Sequence, residues 1–382
     1  MVRSLGAAHA VGWLALAGCI SPVDELLAGG ADCPQGLLSC AGACADTSIS
    51  TLHCGVCGNA CQPGSTCRSG SCQCPTGMLL CAGACVAPND AGRCEPTTLA
   101  RAQDLPMSVV VGDGLVYWAN TGTAANGAIV RAQPDGEVKT LASGQNEPGA
   151  IVLRGGDLYW LNRASSGLGA VMKLPLDGGA PLTLAAGQSE PRGLAVDDRY
   201  AYWTNQQTDD VARVPVEGGA TAVIAAFQGS PNGIAVDEGV LFWANYSNGT
   251  VMRLALDGGA PVVFASGQTA PLAVVVFEGD VYWTNSGTGG SVAKKPLDGG
   301  PIATLGGYGP AAMLAVDATG AYWTGGCGGD AVKRIPLSGG APVTLASRQD
   351  FPYALALDAT SIYWANRGGV GGANGEVKRL AK

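Results

Sequence analysis

Histidine is almost missing from this 382-residue sequence: there are two, His9 and His53, and none follows. Beyond residue 53, therefore, no Ser-His-Asp triad, histidine-held zinc or histidine acid/base can be assembled. Positive charge is also thin. Acidic residues outnumber basic ones by 30 to 22, and no Lys/Arg run long enough to track a phosphate backbone occurs, so no nucleic-acid partner is expected. The strong helix formers Lys and Glu are scarce, and long apolar runs are lacking. The sequence has instead 59 glycines, punctuating short runs of Val, Ala, Leu, Tyr and Trp. Short apolar runs between Gly, Pro, Asn and Asp clusters read as many brief strands joined by tight turns, an all-β chain.

The first residues follow a different pattern. Arg3 precedes an apolar stretch, Ala10–Leu16, which ends in Leu16-Ala17-Gly18-Cys19. About a dozen apolar residues are too few to cross a bilayer, where roughly 20 are needed, which favours a cleaved export signal over a retained anchor. The four residues resemble a bacterial lipobox, in which small residues precede a cysteine that is acylated before cleavage. The resemblance implies a signal peptide over residues 1–18, lipidation of Cys19, and attachment of the mature chain to a membrane of the bacterial cell envelope. Ile20 after the cysteine favours the outer membrane, on its periplasmic or surface side. Residues 19–32, with Pro22 and Gly29-Gly30, read as a tether.

Twelve of the fourteen cysteines crowd into residues 33–94: Cys33, Cys40, Cys44, Cys54, Cys57, Cys61, Cys67, Cys72, Cys74, Cys81, Cys85 and Cys94. Hardly any apolar run lies among them, so crosslinks must replace a core. Cys54-x-x-Cys57 has zinc-ligand spacing, but it stands alone; an even set of cysteines in an exported chain favours disulfides, whose pairing spacing does not reveal. Cys33-Pro-Gln-Gly-Leu-Leu-Ser-Cys40-Ala-Gly-Ala-Cys44 returns almost unchanged as Cys74 to Cys85. The stretch Cys54-Gly-Val-Cys57-Gly-Asn-Ala-Cys61 with Cys67 and Cys72 resembles the stigma-specific cysteine-rich family, a likeness that implies no activity.

From Thr97 on the chain repeats itself. A Tyr/Phe-Trp-x-Asn/Gly signature recurs at Trp118, Trp160, Trp203, Trp243, Trp283, Trp323 and Trp364, at intervals of 40 to 43 residues. That period, with four short strands per copy, specifies the blades of a β-propeller, and seven copies specify seven blades. In the third copy the strands are expected over Gly193–Asp197, Ala201–Asn205, Val211–Val214 and Thr221–Ile224. Neighbours such as Tyr202 and Trp203 point to opposite faces, so each fills one layer between blades. The last copy lacks an outermost strand, while Pro96–Pro106 matches Pro342–Pro352 of the sixth. The 97–105 segment is therefore expected to complete the last blade and close a domain over residues 97–382.

Pro231-Asn-Gly-Ile-Ala-Val-Asp237, Tyr202-Trp-Thr-Asn205, Val251-Met-Arg253 and Leu256-Asp-Gly258 together resemble the YWTD propellers of the low-density lipoprotein receptor family. This chain departs from them in ending the signature with Asn, or with Gly325 in the sixth copy, and in having seven blades rather than six. The resemblance implies binding of protein ligands outside the cell.

Candidate sites follow from where the copies differ. The turns within each copy are nearly uniform, whereas the loops after the signature vary: Asn120–Gly127, Asn162–Gly169, Asn205–Asp210, Asn245–Thr250, Asn285–Ser291, Gly325–Asp330 and Asn366–Glu376. Varied loops on a repeated scaffold are where a propeller places specificity. Asn205, Asp209, Asp210, Asn245, Asn285, Cys327 and Asp330 are the ligand-face candidates, for a protein or glycan ligand. Two repeated rings, the signature Asn residues and Gln103, Gln145, Gln188, Gln228, Gln268 and Gln349, suit inter-blade hydrogen bonds better than ligand contact. The repeated third-strand cations, including Arg213 and Arg253, are expected to pair locally. Cys327 is the odd cysteine once Cys19 carries lipid, and it has no sequence neighbour to activate it. The catalytic alternative is a calcium-assisted, lactonase-like site built on Asp209, Asp210, Glu190 or Glu147. No calcium-loop spacing is present, so the reading is a binding or scaffold protein without a cofactor rather than an enzyme, with a structural envelope component as the further alternative.

Overall fold

Short apolar runs of four to eight residues, whose successive side chains point to opposite faces, form the antiparallel strands of each repeat, and paired glycines or Asp-Gly steps turn them. The computed structural model describes residues 95–122, 126–133, 136–164, 168–287, 289–307, 311–325, 329–368 and 374–382, and before them 27–28, 37–40, 43–52, 54, 66–69, 71–74, 79–81 and 84–86. Every element among these is a strand. The chain divides into two compact units, Met1–Cys94 and Glu95–Lys382.

In the first unit the described backbone forms a small three-stranded sheet (Leu27–Ala28, Ala43–Ala45, Leu38–Cys40) and two hairpins, Thr66–Arg68 with Ser71–Gln73 and Leu79–Cys81 with Ala84–Val86. A disulfide joins Cys54 to Cys67, which removes Cys54 from any zinc pair with Cys57. Cys44 and Cys74 are also disulfide-bonded. Cys19, Cys33, Cys57, Cys61 and Cys94 lie outside the described residues, and Cys40, Cys72, Cys81 and Cys85 are described in their backbone alone.

The second unit is a seven-bladed β-propeller. Its seven sheets each hold four strands. Blades I to VII are numbered here by their second strands, Leu115–Asn120, Asp157–Asn162, Tyr200–Asn205, Val240–Asn245, Asp280–Asn285, Gly320–Thr324 and Ser361–Asn366. In blade III the strands are Pro191–Val196, Tyr200–Asn205, Asp210–Pro215 and Ala222–Ala225; the outermost begins one residue later than the pattern suggests because Thr221 stays in the turn after Gly218-Gly219. Blade VII takes its outermost strand from Thr97–Gln103, which pairs antiparallel with Gly375–Ala381 through Gln103 opposite Gly375 and Thr97 opposite Arg379.

All seven signature tryptophans are buried, and each packs between blades as the alternation requires: Trp203 lies with Tyr159, Leu161 and Val171 of blade II, Tyr202 with Leu241 and Trp243 of blade IV. A polar clasp seals the same seam. The Gln at the end of each outermost strand, or just beyond it, reaches the next blade, where its Oε1 accepts from the indole Nε1 of the signature Trp. This occurs at Trp118–Gln103 (2.9 Å), Trp160–Gln145 (3.1 Å), Trp203–Gln188 (2.9 Å), Trp243–Gln228 (3.0 Å), Trp283–Gln268 (2.8 Å) and Trp364–Gln349 (3.0 Å). The same oxygen accepts from the signature Asn Nδ2, as in Asn120 to Gln103 (2.9 Å) and Asn366 to Gln349 (3.0 Å). The Gln Nε2 donates to the carbonyl two residues earlier, as from Gln188 to Ala186. At the seam between blades V and VI the Gln position is Tyr308 and the Asn position Gly325, so both clasp residues are replaced together.

On the opposite face, cross-strand pairs tie second strands to third strands. Lys173 bonds Asp157 at 3.0 Å and lies over the Tyr159 ring; Lys294 bonds Asp280 at 2.7 Å and lies over Tyr282. Arg213 stacks 4.5 Å from the centre of the Tyr200 ring. The Asp358 carboxylate accepts from the Tyr363 hydroxyl and from the Thr360 and Ser361 amides, each at 2.7 Å. Burial alone raises its pKa, but these bonds outweigh burial and hold it below the ordinary 3.8.

Two outcomes are expected. Gln349→Leu leaves both Trp364 Nε1 and Asn366 Nδ2 without their acceptor and should cost about 2–6 kcal/mol in urea unfolding, taking ~1–3 kcal/mol per orphaned donor. Gln188→Leu should cost less, because Asn205 Nδ2 keeps its 2.8 Å bond to Asp210. The Asp358 pKa is depressed in the folded state, so its contribution is fully present above the unfolded value of 3.8 and is lost as pH falls through the lower folded value. Melting temperature should drop on acidification through that window, and less steeply in Asp358→Asn, as followed by circular dichroism.

Candidate loop-face site

The residue before each clasp Gln must bend sharply so that its Nε2 can turn back on the preceding carbonyl, and it does so in the left-handed region. Glycine serves at Gly144 (φ 66°), Gly187 (φ 72°) and Gly267 (φ 70°), where a Cβ would otherwise be strained. Three clasps place a non-glycine residue there in the same conformation, Ala102 (φ 54°), Arg348 (φ 55°) and, in blade III, Phe227 (φ 61°), whose surface is 94% exposed. A bulky aromatic there incurs backbone strain and buries nothing in return.

The surroundings of Phe227 are ordered by hydrogen bonds across three segments. Gln228 N donates to Asp209 O (2.8 Å) and Ser230 N to Asp209 Oδ1 (2.6 Å). Tyr246 N donates to Ser230 O (3.1 Å), and Asn248 Nδ2 to Gln228 O (3.0 Å). The loop Asn205–Asp210, the connection Ala226–Ser230 and the loop Asn245–Thr250 thus form one continuous surface bearing two exposed aromatics, Phe227 and Tyr246. Leu168 and Phe351 are likewise exposed beside the Asn162–Gly169 loop and the blade VI–VII connection.

Three of the residues that sequence variation nominates belong beneath this surface. Asn205, Asn245 and Asn285 are buried; their Nδ2 groups are spent on the clasps and on Asp210, Thr250 and Ser291 respectively, while their Oδ1 atoms are buried without a hydrogen-bond partner among the described residues. Asp209 and Asp210 brace loops through Ser230 and Asn205. Asp330 is exposed, and its carbonyl accepts from Gln349 N at 2.8 Å. Cys327 lies outside the described residues. Glu190 pairs with Arg192. Among the described residues no three His, Cys, Asp or Glu side chains cluster as a metal would need.

The loop face also surrounds the mouth of the central channel, a cavity of about 380 Å³ lined by the innermost strands of all seven blades. Tight approach of those strands depends on small residues: a Cβ on Gly193 or Gly233 would fall 2.2 or 2.3 Å from the carbonyl oxygen of Asn232 or Leu272 in the next blade. Arg163, Arg192, Asn232, Met107, Met313 and Tyr353 are at the cavity wall. Neither Phe227 nor these arginines stand out in a reading by motif. The available signal was comparison of repeats position by position, which sets Phe227 against three glycines and Arg163 against Thr121, Gln206, Tyr246 and Ser286.

No family model matches the sequence, and no curated protein does. Solved structures match in fold. A streptogramin B lyase superposes with a TM-score of 0.64 at 14% identity, over 75% of this chain and 97% of its own. A catalytically inactive histidine-to-alanine variant of virginiamycin B lyase from Staphylococcus aureus, with quinupristin, gives 0.63 at 13% identity over 75% and 98%. The WD40 repeats of RRP9 give 0.62 at 14% identity over 78% and 99%. Likenesses at such identities establish that this chain has the propeller fold and carry no activity with them.

Proposed function

We propose that the protein is a lipid-anchored binding protein of a bacterial cell envelope, not an enzyme, whose propeller engages a protein or glycan through its loop face. Phe227 carries this reading. It is a bulky aromatic, fully exposed and held in the left-handed region, at a position where the other clasps use Gly144, Gly187, Gly267, Ala102 and Arg348, and exposed aromatic anchors are the form that ligand-contact residues take. Tyr246 and the hydrogen-bonding groups of Ser247 and Asn248 beside it give the mixture of flat apolar surface and polar rim by which proteins and sugars are held. The sequence supports the non-enzymatic part: the virginiamycin B lyase with its histidine changed to alanine is inactive, and no histidine follows residue 53 here. The lipobox-like Leu16-Ala17-Gly18-Cys19 supports the anchor.

Affinity capture from envelope extract, comparing the intact chain with one whose Asn205–Asp210 and Asn245–Thr250 loops are replaced by short Gly/Ser turns, tests the binding face. A partner retained by the intact form alone is the expected result; equal retention by both overturns it. Phe227→Gly should raise stability by about 1 kcal/mol, by relief of the left-handed strain, while weakening capture. Cys19→Ser should shift the protein from the membrane to the soluble fraction of the cells on fractionation.

A further inference from the structure

Two arginines, Arg163 and Arg192, line the central cavity, and the charge of Arg367 acts on Arg163. Arg163 follows the signature Asn of blade II and lies across Gly149, whose missing side chain makes room for it: a Cβ there would fall 2.1 Å from Arg163 Cδ. Among the described residues its Nη1 meets the sulfur of Met107, at 3.3 Å. Arg367 holds the equivalent place in blade VII, and Arg192 begins the innermost strand of blade III. The Nε atoms of Arg163, Arg192 and Arg367 are all buried without a hydrogen-bond partner among the described residues. Of the three, Arg192 alone has an ion pair, with Glu190. Glu147 is exposed at the rim, and neither Glu147 nor Glu190 comes within ion-pair distance of Arg163 or Arg367 among the described residues. Burial pushes the Arg163 guanidinium below its ordinary pKa; Tyr353, Glu190 and Glu147 counter this in part, and the neighbouring charge of Arg367 adds to the fall.

Buried guanidinium Nε atoms without a hydrogen-bond partner, on Arg163 and Arg192 at the cavity wall and on Arg367, cost free energy unless an anion completes them. Their planar forks match the two oxygens of a carboxylate or phosphate. Below them the cavity of about 380 Å³ is walled by Met107, Leu272, Met313 and the apolar innermost strands, room for a short apolar body in a dry setting. We propose that the channel mouth is an anion-binding site, in which Arg163 and Arg367, with Arg192, take the carboxylate or phosphate head of a small molecule whose apolar body enters the channel. The proposal rests on the reading of the loop face as a binding face and names the chemistry of its centre.

The test is titration calorimetry of the purified full chain with hexanoate, hexyl phosphate and hexanol at constant ionic strength. Binding of either anion, with hexanol at least tenfold weaker, is the expected result, and the tighter of the two anions identifies the head group. Arg163→Gln and Arg367→Gln should each weaken it tenfold or more, and Arg163→Lys, which keeps the charge and the fold but loses the fork, by a smaller factor. Absence of binding by both anions, equal binding of hexanol, or affinity unchanged in the Gln variants overturns the site. The loop-replaced chain separates the two readings: anion binding kept while partner capture is lost in it supports both. Partner capture with no anion binding overturns the site alone. Anion binding with no loop-dependent partner supports the site and overturns the wider loop-face reading.

Discussion

Much of this propeller hangs on one oxygen atom per seam. The clasp Gln extends from the outermost strand of one blade to the middle of the next, and its Oε1 satisfies an indole N–H and an amide N–H that would otherwise be buried without partners. An indole packed between sheets supplies most of the apolar area of the seam but brings one polar atom with it, and that atom has to be met. Meeting it from the neighbouring blade turns a packing contact into a directional one, which fixes how far around the ring each blade is rotated. At the seam between blades V and VI, Tyr308 and Gly325 stand at the Gln and Asn positions, so both clasp residues are replaced there.

The clasp also shapes the face above it. To bring its Nε2 back to the preceding carbonyl, each Gln has a left-handed residue before it: Gly144, Gly187 and Gly267 in three clasps, and Ala102, Arg348 and Phe227 in the others. The loop face therefore combines a uniform, heavily hydrogen-bonded floor with divergent tips. The floor holds Asn205, Asn245 and Asn285 beneath the surface, so the part that differs between blades is carried by residues such as Phe227, Tyr246, Arg163 and Arg367. Rigid support under variable tips suits recognition, because little ordering is required when a ligand arrives.

Local patterning made the architecture legible. Seven aromatic signatures at a period near 40 can bury their rings only in stacked four-stranded sheets, and Pro96–Pro106 matches an outermost strand at the wrong end of the chain, which gives away its partner. The two rings of Asn and Gln were visible as well, and a scaffold role followed from their repetition. Their pairing was not, because the partners belong to different blades and only the ring brings them together. The candidate ligand residues were chosen for lying in variable loops, a criterion blind to burial, and so it captured Asn205, Asn245 and Asn285 along with true surface.

By itself, then, the sequence determined the blade number, the strand order and the absence of histidine chemistry beyond residue 53, since periodicity and composition act locally and survive without coordinates. Only the tertiary structure decided which polar residues are consumed by the scaffold and which face outward. It alone brought Arg163 of blade II within range of the charge of Arg367 of blade VII and joined the segments of Phe227 and Tyr246 into one hydrogen-bonded surface. Curvature does this: closing seven sheets into a ring draws one end of every blade to a common axis, so residues far apart in the chain converge on a single mouth.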